Sequence, residues 1–244
     1  MLVLLPPSET KAHGGDGLPL DLQTLSFPEL NPMRDKLIDA VVRLAADPEA
    51  SMVALGLGPT QVDDVVHNAQ LRVGTARPAL DRYTGVLYDA LGARGFTRAQ
   101  RARAGARLAV GSALFGVVRA DDPIPRYRLS AGSTVPGLPT LRTLWRPVLS
   151  PVLSDVDGLV VDLRSGSYAA LGPVPGAVTA TVLTEQPDGS RSVVSHFNKA
   201  HKGLLARALA LTRAEPSDAR AVARVARAAG LRVEVHAAEL IILT

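Results

Sequence analysis

Leu2-Val-Leu-Leu5 is a short aliphatic run cut off by Pro6-Pro7, and that stop predicts a buried strand at the start of the chain. The strand would run straight into a polar loop, residues 8–17, which holds Glu9, Lys11, His13 and Asp16 among three glycines. Such a junction is a common way to present a binding site. The loop has neither Walker nor dinucleotide-fingerprint spacing. Further strands are predicted at residues 159–163, 177–183, 192–197, 231–235 and 240–243. A turn at Asp188-Gly189 would join 177–183 to 192–197 as a hairpin.

Helical patterns lie between these runs. Leu37, Ile38, Val41, Val42 and Ala45 recur at helical spacing over residues 32–46, and Asp47-Pro48 ends the pattern. Thr97-Arg-Ala-Gln100 reads as a capping box opening a helix that carries Arg98, Arg101, Arg103 and Arg107. Ser217 is a candidate cap for a later helix with Arg220, Arg224 and Arg227 on one face. That stripe suits either phosphate tracking or plain solvation. Interspersed helices and strands, with no repeat and no linker, predict one compact α/β (α+β mixed) domain over residues 1–244, a mixed sheet flanked by helices.

At 47% hydrophobic but only 4% aromatic, the core must be aliphatic. No cysteine is present, which removes disulfides, thiolate catalysis and cysteine metal sites. The opening run is too short for a signal peptide and no segment reaches membrane-spanning length, so a soluble cytoplasmic protein without membrane contact is expected. Twenty-seven basic against twenty-three acidic residues leave a formal charge of +4, which permits a polyanion partner without requiring one. The five histidines show no metal-ligand spacing, so neither metal nor cofactor is expected.

The densest chemistry lies in the stretch from Gly111 to Leu129, where an apolar run ends in Arg119, Asp122, Arg126, Tyr127 and Arg128. Gly111 and Gly116 let the backbone approach a neighbour closely, and Pro123 and Pro125 hold the next few residues extended. Three forked cations suit an anionic ligand, a buried ion-pair network, or a tethered loop with solvated arginines. Upstream, Leu55-Gly56-Leu57-Gly58 sits between two helical patterns in residues 49–70. It reads either as a helix–hairpin–helix turn offering amides to a nucleic-acid phosphate, or as a glycine helix cap. Asp63 and Asp64 beside it disfavour phosphate.

These segments resemble, in order, the YaaA family of bacterial peroxide-stress proteins, also called DUF328 or UPF0246. Ser112, Phe115, Gly116, Arg119, Asp122, Tyr127, Arg128, Leu129 and Gly132 match its central motif. Pro7-Ser8-Glu9-Thr10-Lys11, Tyr83-Thr84-Gly85 with Tyr88, Leu144-Trp145, Asp162 to Tyr168, and Lys199 to Arg207 match its other blocks. Lys11 comes two residues later than the family's lysine, with Glu9 near that slot; Phe115 and Ser167 stand where relatives carry Tyr and Glu. The resemblance implies protection against hydrogen peroxide, limitation of reactive iron, and DNA binding through a basic cleft. It also raises the expectation that strand ends gather Ser8, Lys11, Tyr83, Ser112, Arg119, Arg126, Tyr127, Arg128, Ser165, Lys199 and Lys202 into one site. That site would take double-stranded DNA or, in the alternative, a small phosphorylated or carboxylated substrate of an enzyme.

Overall fold

The computed structural model describes residues 1–186, 190–192 and 195–244, without the side chains of residues 195–197. The strands are β1 (Leu2–Leu5), β2 (Arg77–Pro78), β3 (Leu108–Ser112), β4 (Gly116–Arg119), β5 (Pro123–Ile124), β6 (Val160–Asp162), β7 (Val178–Glu185), β8 (Arg191–Ser192), β9 (Arg232–His236) and β10 (Glu239–Leu243). The helices are α1 (Asn31–Leu44), α2 (Pro48–Leu55), α3 (Val62–Ala69), α4 (Ala79–Arg82), α5 (Val86–Leu91), α6 (Arg98–Arg107), α7 (Leu141–Ser154), α8 (Gly166–Ala169), α9 (Ser195–Leu211) and α10 (Ala219–Ala228).

One mixed sheet organises them in the order β4-β3-β1-β6-β7-β10-β9, with β8 on β7 and a separate β2–β5 pair. β3, β1, β6, β7 and β10 run parallel, whereas β4, β8 and β9 pair antiparallel. Every residue of β1 and β3 is buried, as expected of parallel strands covered on both faces. Helices α6 and α9 pack on β1, α6 and α8 on β3, α7 on β4 and α10 on β9 and β10. A single aliphatic core runs through all of these elements.

Two glycines make close packing possible. Gly116 has φ +72°, and an added Cβ would lie 2.7 Å from the Trp145 ring. Trp145 is fully buried and its Nε1 donates to Ala113 O at 2.8 Å. In α9, a Cβ on Gly203 would stand 2.3 Å from Leu87 O, so this glycine lets α9 lie directly against α5.

Buried arginines tie loops to strands. Arg34, with no exposed surface, donates to Phe115 O, Val117 O, Ser26 O and Asn31 Oδ1 at 2.7–3.0 Å. Arg82, equally buried, donates to Ile124 O, Thr75 O, Ala12 O and Gly14 O, and so pins the loop after β1. Arg107 holds Leu209 O, Thr212 O and Ala214 O.

Two local expectations are corrected. Residues 195–197 are the first turn of α9 and not the end of a strand; the paired strand stops at Ser192. A seventeen-residue helix packed on α5 and β7 takes up these three positions. Asp188-Gly189 lies outside the described residues. The cap of α10 is Asp218 and not Ser217, because its carboxylate accepts the Ala221 amide at 2.7 Å. The Thr97–Gln100 capping box forms as read. Helices α2 and α3 flank the Gly56-Leu57-Gly58 turn, with Gly56 at φ +62°. Among the described residues, no helix is long and apolar enough to cross a membrane.

Candidate functional site

Parallel pairing places the C-terminal ends of β1, β3 and β6 side by side, the end of an α/β sheet where ligands commonly bind. The loop leaving β1 folds back there. Lys11 bridges to Tyr83, Ala12 N donates to Arg82 O at 2.8 Å, and Thr84 N donates to Thr10 O at 3.3 Å. These bonds seat the Lys11 side chain inside the protein, with only 7% of the residue exposed.

The Lys11 amino group donates to Ser8 O at 2.9 Å and Glu9 O at 3.4 Å. It also lies 4.3 Å from the Tyr127 ring centroid and 5.4 Å from that of Tyr83. No carboxylate forms a salt bridge with it among the described residues. Burial, helped by the charge of Arg128, therefore pulls its pKa down to about 7.

Beneath the amine runs a chain of hydroxyls. Ser112 Oγ accepts the amides of Leu114 (3.2 Å) and Phe115 (3.0 Å), so its own hydrogen is left for Tyr127 OH at 2.7 Å. Tyr127 OH also shares a hydrogen bond with Tyr83 OH at 2.7 Å. Burial raises both phenols well above the ordinary tyrosine value, which keeps the chain protonated. Tyr88 stacks on Tyr83 with centroids 5.5 Å apart and donates to Pro6 O at 2.8 Å. Tyr168 of α8 is pushed up to about 12, first by burial.

The rim is cationic but paired. Arg126 holds Asp64 at 3.2 Å and the His13 ring at 2.5–2.8 Å. Arg128 pairs with Glu9, and Asn68 fixes its backbone through two bonds of 2.8 Å. His13 and His67 meet edge to face with centroids 6.0 Å apart, and burial lowers the His67 pKa. Among the described residues no group of three or more His, Asp and Glu side chains is placed to hold a metal ion. A groove of about 1120 Å³ starts at the Glu9–Arg128 pair and runs to Leu55 and Gly56, lined also by Asp47, Glu49 and Thr134.

Ser8, Lys11, Tyr83, Ser112, Arg126, Tyr127 and Arg128 are thus brought together. Arg119 is not. β4 runs antiparallel to β3 with Arg119 opposite Ala109, which carries it to the far end of the sheet. There it stacks 5.4 Å from the Phe27 ring, donates to Ala106 O at 2.7 Å, and lines a separate cavity of about 650 Å³ with Met1 and Glu29. Lys199 is exposed on α9. Lys202 points to the end of β6, donating to Leu163 O at 3.2 Å, with burial lowering its pKa. Ser165 is exposed at the start of α8, 3.3 Å from Ser167 Oγ. Beside Ser165, Arg164 is buried in a two-pronged bond to Asp162. Glu9, Tyr88 and Tyr168 join the site without having been singled out as site residues. Their signal was proximity in sequence to Lys11, Tyr83 and Ser165.

This chain has similar counterparts among known proteins. A UPF0246 protein of Corynebacterium efficiens is 50% identical over 240 residues, covering 97% of this chain and 96% of that one. A UPF0246 protein of Streptomyces coelicolor is 43% identical over 242 residues, covering 97% and 93%. The family model described as peroxide stress protein YaaA matches residues 1–235. With that match across nearly its whole length, the chain belongs to the YaaA (UPF0246) family of peroxide stress proteins.

Proposed function

We propose that the protein acts in the cytoplasm in resistance to hydrogen peroxide, and that its working group is the Lys11 amine, a base or nucleophile toward a small anionic substrate. One observation carries this reading. Lys11 is buried on the face of Tyr127 with carbonyl oxygens and, among the described residues, no carboxylate as hydrogen-bond acceptors. With a pKa of about 7, a large fraction of the amine holds a free electron pair at neutral pH. The Ser112–Tyr127–Tyr83 hydroxyls lie alongside it. Arg126 and Arg128 would attract the substrate's charge. Limitation of reactive iron enters this proposal as a downstream result of that chemistry.

The test is the reactivity of Lys11 toward an amine-acylating reagent, followed by peptide mass spectrometry across pH. Labelling of Lys11 with a midpoint near pH 7, together with loss of peroxide protection in cells carrying Lys11→Met, supports the reading. A midpoint near the ordinary lysine value, or full protection by Lys11→Met, ends it.

Duplex DNA binding is the second reading, and one observation favours it: the groove at Arg128 is continuous with the Leu55-Gly56 turn between α2 and α3. Glu9, Asp47 and Glu49 line the same groove. The turn's own amides are already bonded, Gly56 to Val53 O, Leu57 to Met52 O and Gly58 to Gln61 Oε1. These two facts place it second. Binding to a labelled duplex that weakens steeply with salt and falls in Arg126→Gln would raise it to first.

A further inference from the structure

Glu9 and Arg128 form an unequal pair. The Arg128 side chain is 14% exposed and its backbone is clamped by Asn68, itself buried. The Glu9 side chain is 61% exposed, lies in a loop, and its carboxylate makes no other ion pair among the described residues. The guanidinium is therefore fixed while the carboxylate is free to leave. An ion pair with one partner largely in water is weakly held.

The same residue also touches the amine, through its backbone carbonyl. Glu9 O accepts from Lys11 Nζ while the Glu9 carboxylate occupies Arg128 at the mouth of the groove. A planar five-donor fork at the head of a groove, occupied by a weakly held carboxylate of its own chain, has the chemistry of an oxyanion seat.

We propose that Glu9 is an internal stand-in for the ligand's oxyanion: a phosphate or carboxylate group takes its place on Arg128, and the displaced Glu9 side chain turns into water, leaving the ligand seated beside the loop that holds Lys11. The seat itself is defined by Arg128 and Asn68; only the chemistry beneath it rests on the Lys11 reading. A dianionic group competes best, because it meets the guanidinium with more charge than Glu9 supplies.

The experiment titrates inorganic phosphate into the full-length protein, Glu9→Gln and Arg128→Gln, with heat of binding as readout and thermal melts to verify folding. Glu9→Gln removes both a competitor and a repelling charge, so it should bind phosphate at least about tenfold tighter than the unaltered protein. Arg128→Gln should lose that binding. Equal or weaker binding by Glu9→Gln, both to inorganic phosphate and to a duplex oligonucleotide, overturns the proposal. A parallel arm supplies the phosphate as a duplex oligonucleotide. Tightening confined to that arm assigns the seat to nucleic-acid phosphate, and tightening with inorganic phosphate assigns it to a small ligand. Phosphate binding that depends on Glu9 and Arg128 while Lys11 stays unlabelled would sink the catalytic reading alone. Labelled Lys11 with phosphate binding indifferent to Glu9 would sink this inference alone.

Discussion

The amino group of Lys11 lies 4.3 Å from the centre of the Tyr127 ring, and both residues are almost wholly buried. An ammonium there keeps the ring and two carbonyls but loses its water. The unfolded chain holds the lysine proton up to the ordinary value of 10.5, whereas the folded chain releases it at about 7. Between those limits the unfolded state binds the extra proton, so this group's contribution to stability rises with pH and is least favourable below pH 7. Lys11→Met should therefore melt higher than the unaltered protein at pH 6, with the advantage shrinking toward pH 10. Thermal unfolding at pH 6, 8 and 10 checks this, and a pH-independent difference would contradict it.

Tyr127 is the middle of the hydroxyl chain, so Tyr127→Phe strands Ser112 on one side and Tyr83 on the other. A loss of about 1–3 kcal/mol is expected in urea unfolding. Tyr83→Phe should then cost less in the Tyr127→Phe background than alone, because its partner is already gone. Strict additivity would show that the two hydroxyls act separately.

Arg34 satisfies three carbonyls and the Asn31 side chain without any contact with solvent. Arg34→Met leaves these acceptors buried and unpaired, for a loss on the order of 3 kcal/mol or more. A variant that unfolds at the unaltered urea midpoint would mean that water reaches them.

Gly203→Ala sets a methyl 2.3 Å from Leu87 O, so α9 must move off α5. Overpacking against backbone should destabilise by about 1–3 kcal/mol. Gly95→Ala, where a methyl meets nothing within 4 Å, serves as the control and should stay within about 0.5 kcal/mol.

Arg119→Ala and Lys199→Ala should leave the labelling midpoint of Lys11 unmoved, since one residue lies at the opposite end of the sheet and the other is exposed on α9. Peptide mass spectrometry of the two variants reads this directly. A shifted midpoint in either would tie that residue electrostatically to the amine.

The parts of the fold carried by local rules were legible in the sequence. Pro6-Pro7 ends β1 where it was expected, and the Thr97–Gln100 box opens α6. Lys11, Ser112 and Tyr127 were grouped by the resemblance, and parallel pairing of β1 with β3 is what gathers them. Arg119 was misleading because it lies only seven positions after Ser112, yet the antiparallel return of β4 carries it the length of β3. Gly111 and Gly116 do permit close approach, but to this chain's own Arg164 and Trp145. The hydroxyl chain draws on residues 83, 112 and 127, and no local pattern encodes a register among three separate segments.

The arginines wired into the interior bear on how this protein presents itself to others. Among the described residues Lys11, Arg34, Arg82, Arg107 and Arg164 are buried, against Asp122 and Asp162 among the acids. Setting these aside from a formal charge of +4 leaves an outer surface close to electrical balance. Most of the small basic excess here is internal scaffolding, in which guanidinium forks do the work of cross-links between loops. The net charge of +4 still acts at a distance, but the buried cations are closed to direct contact. Contact recognition is then left to the charged groups at the surface that a partner touches once it has arrived.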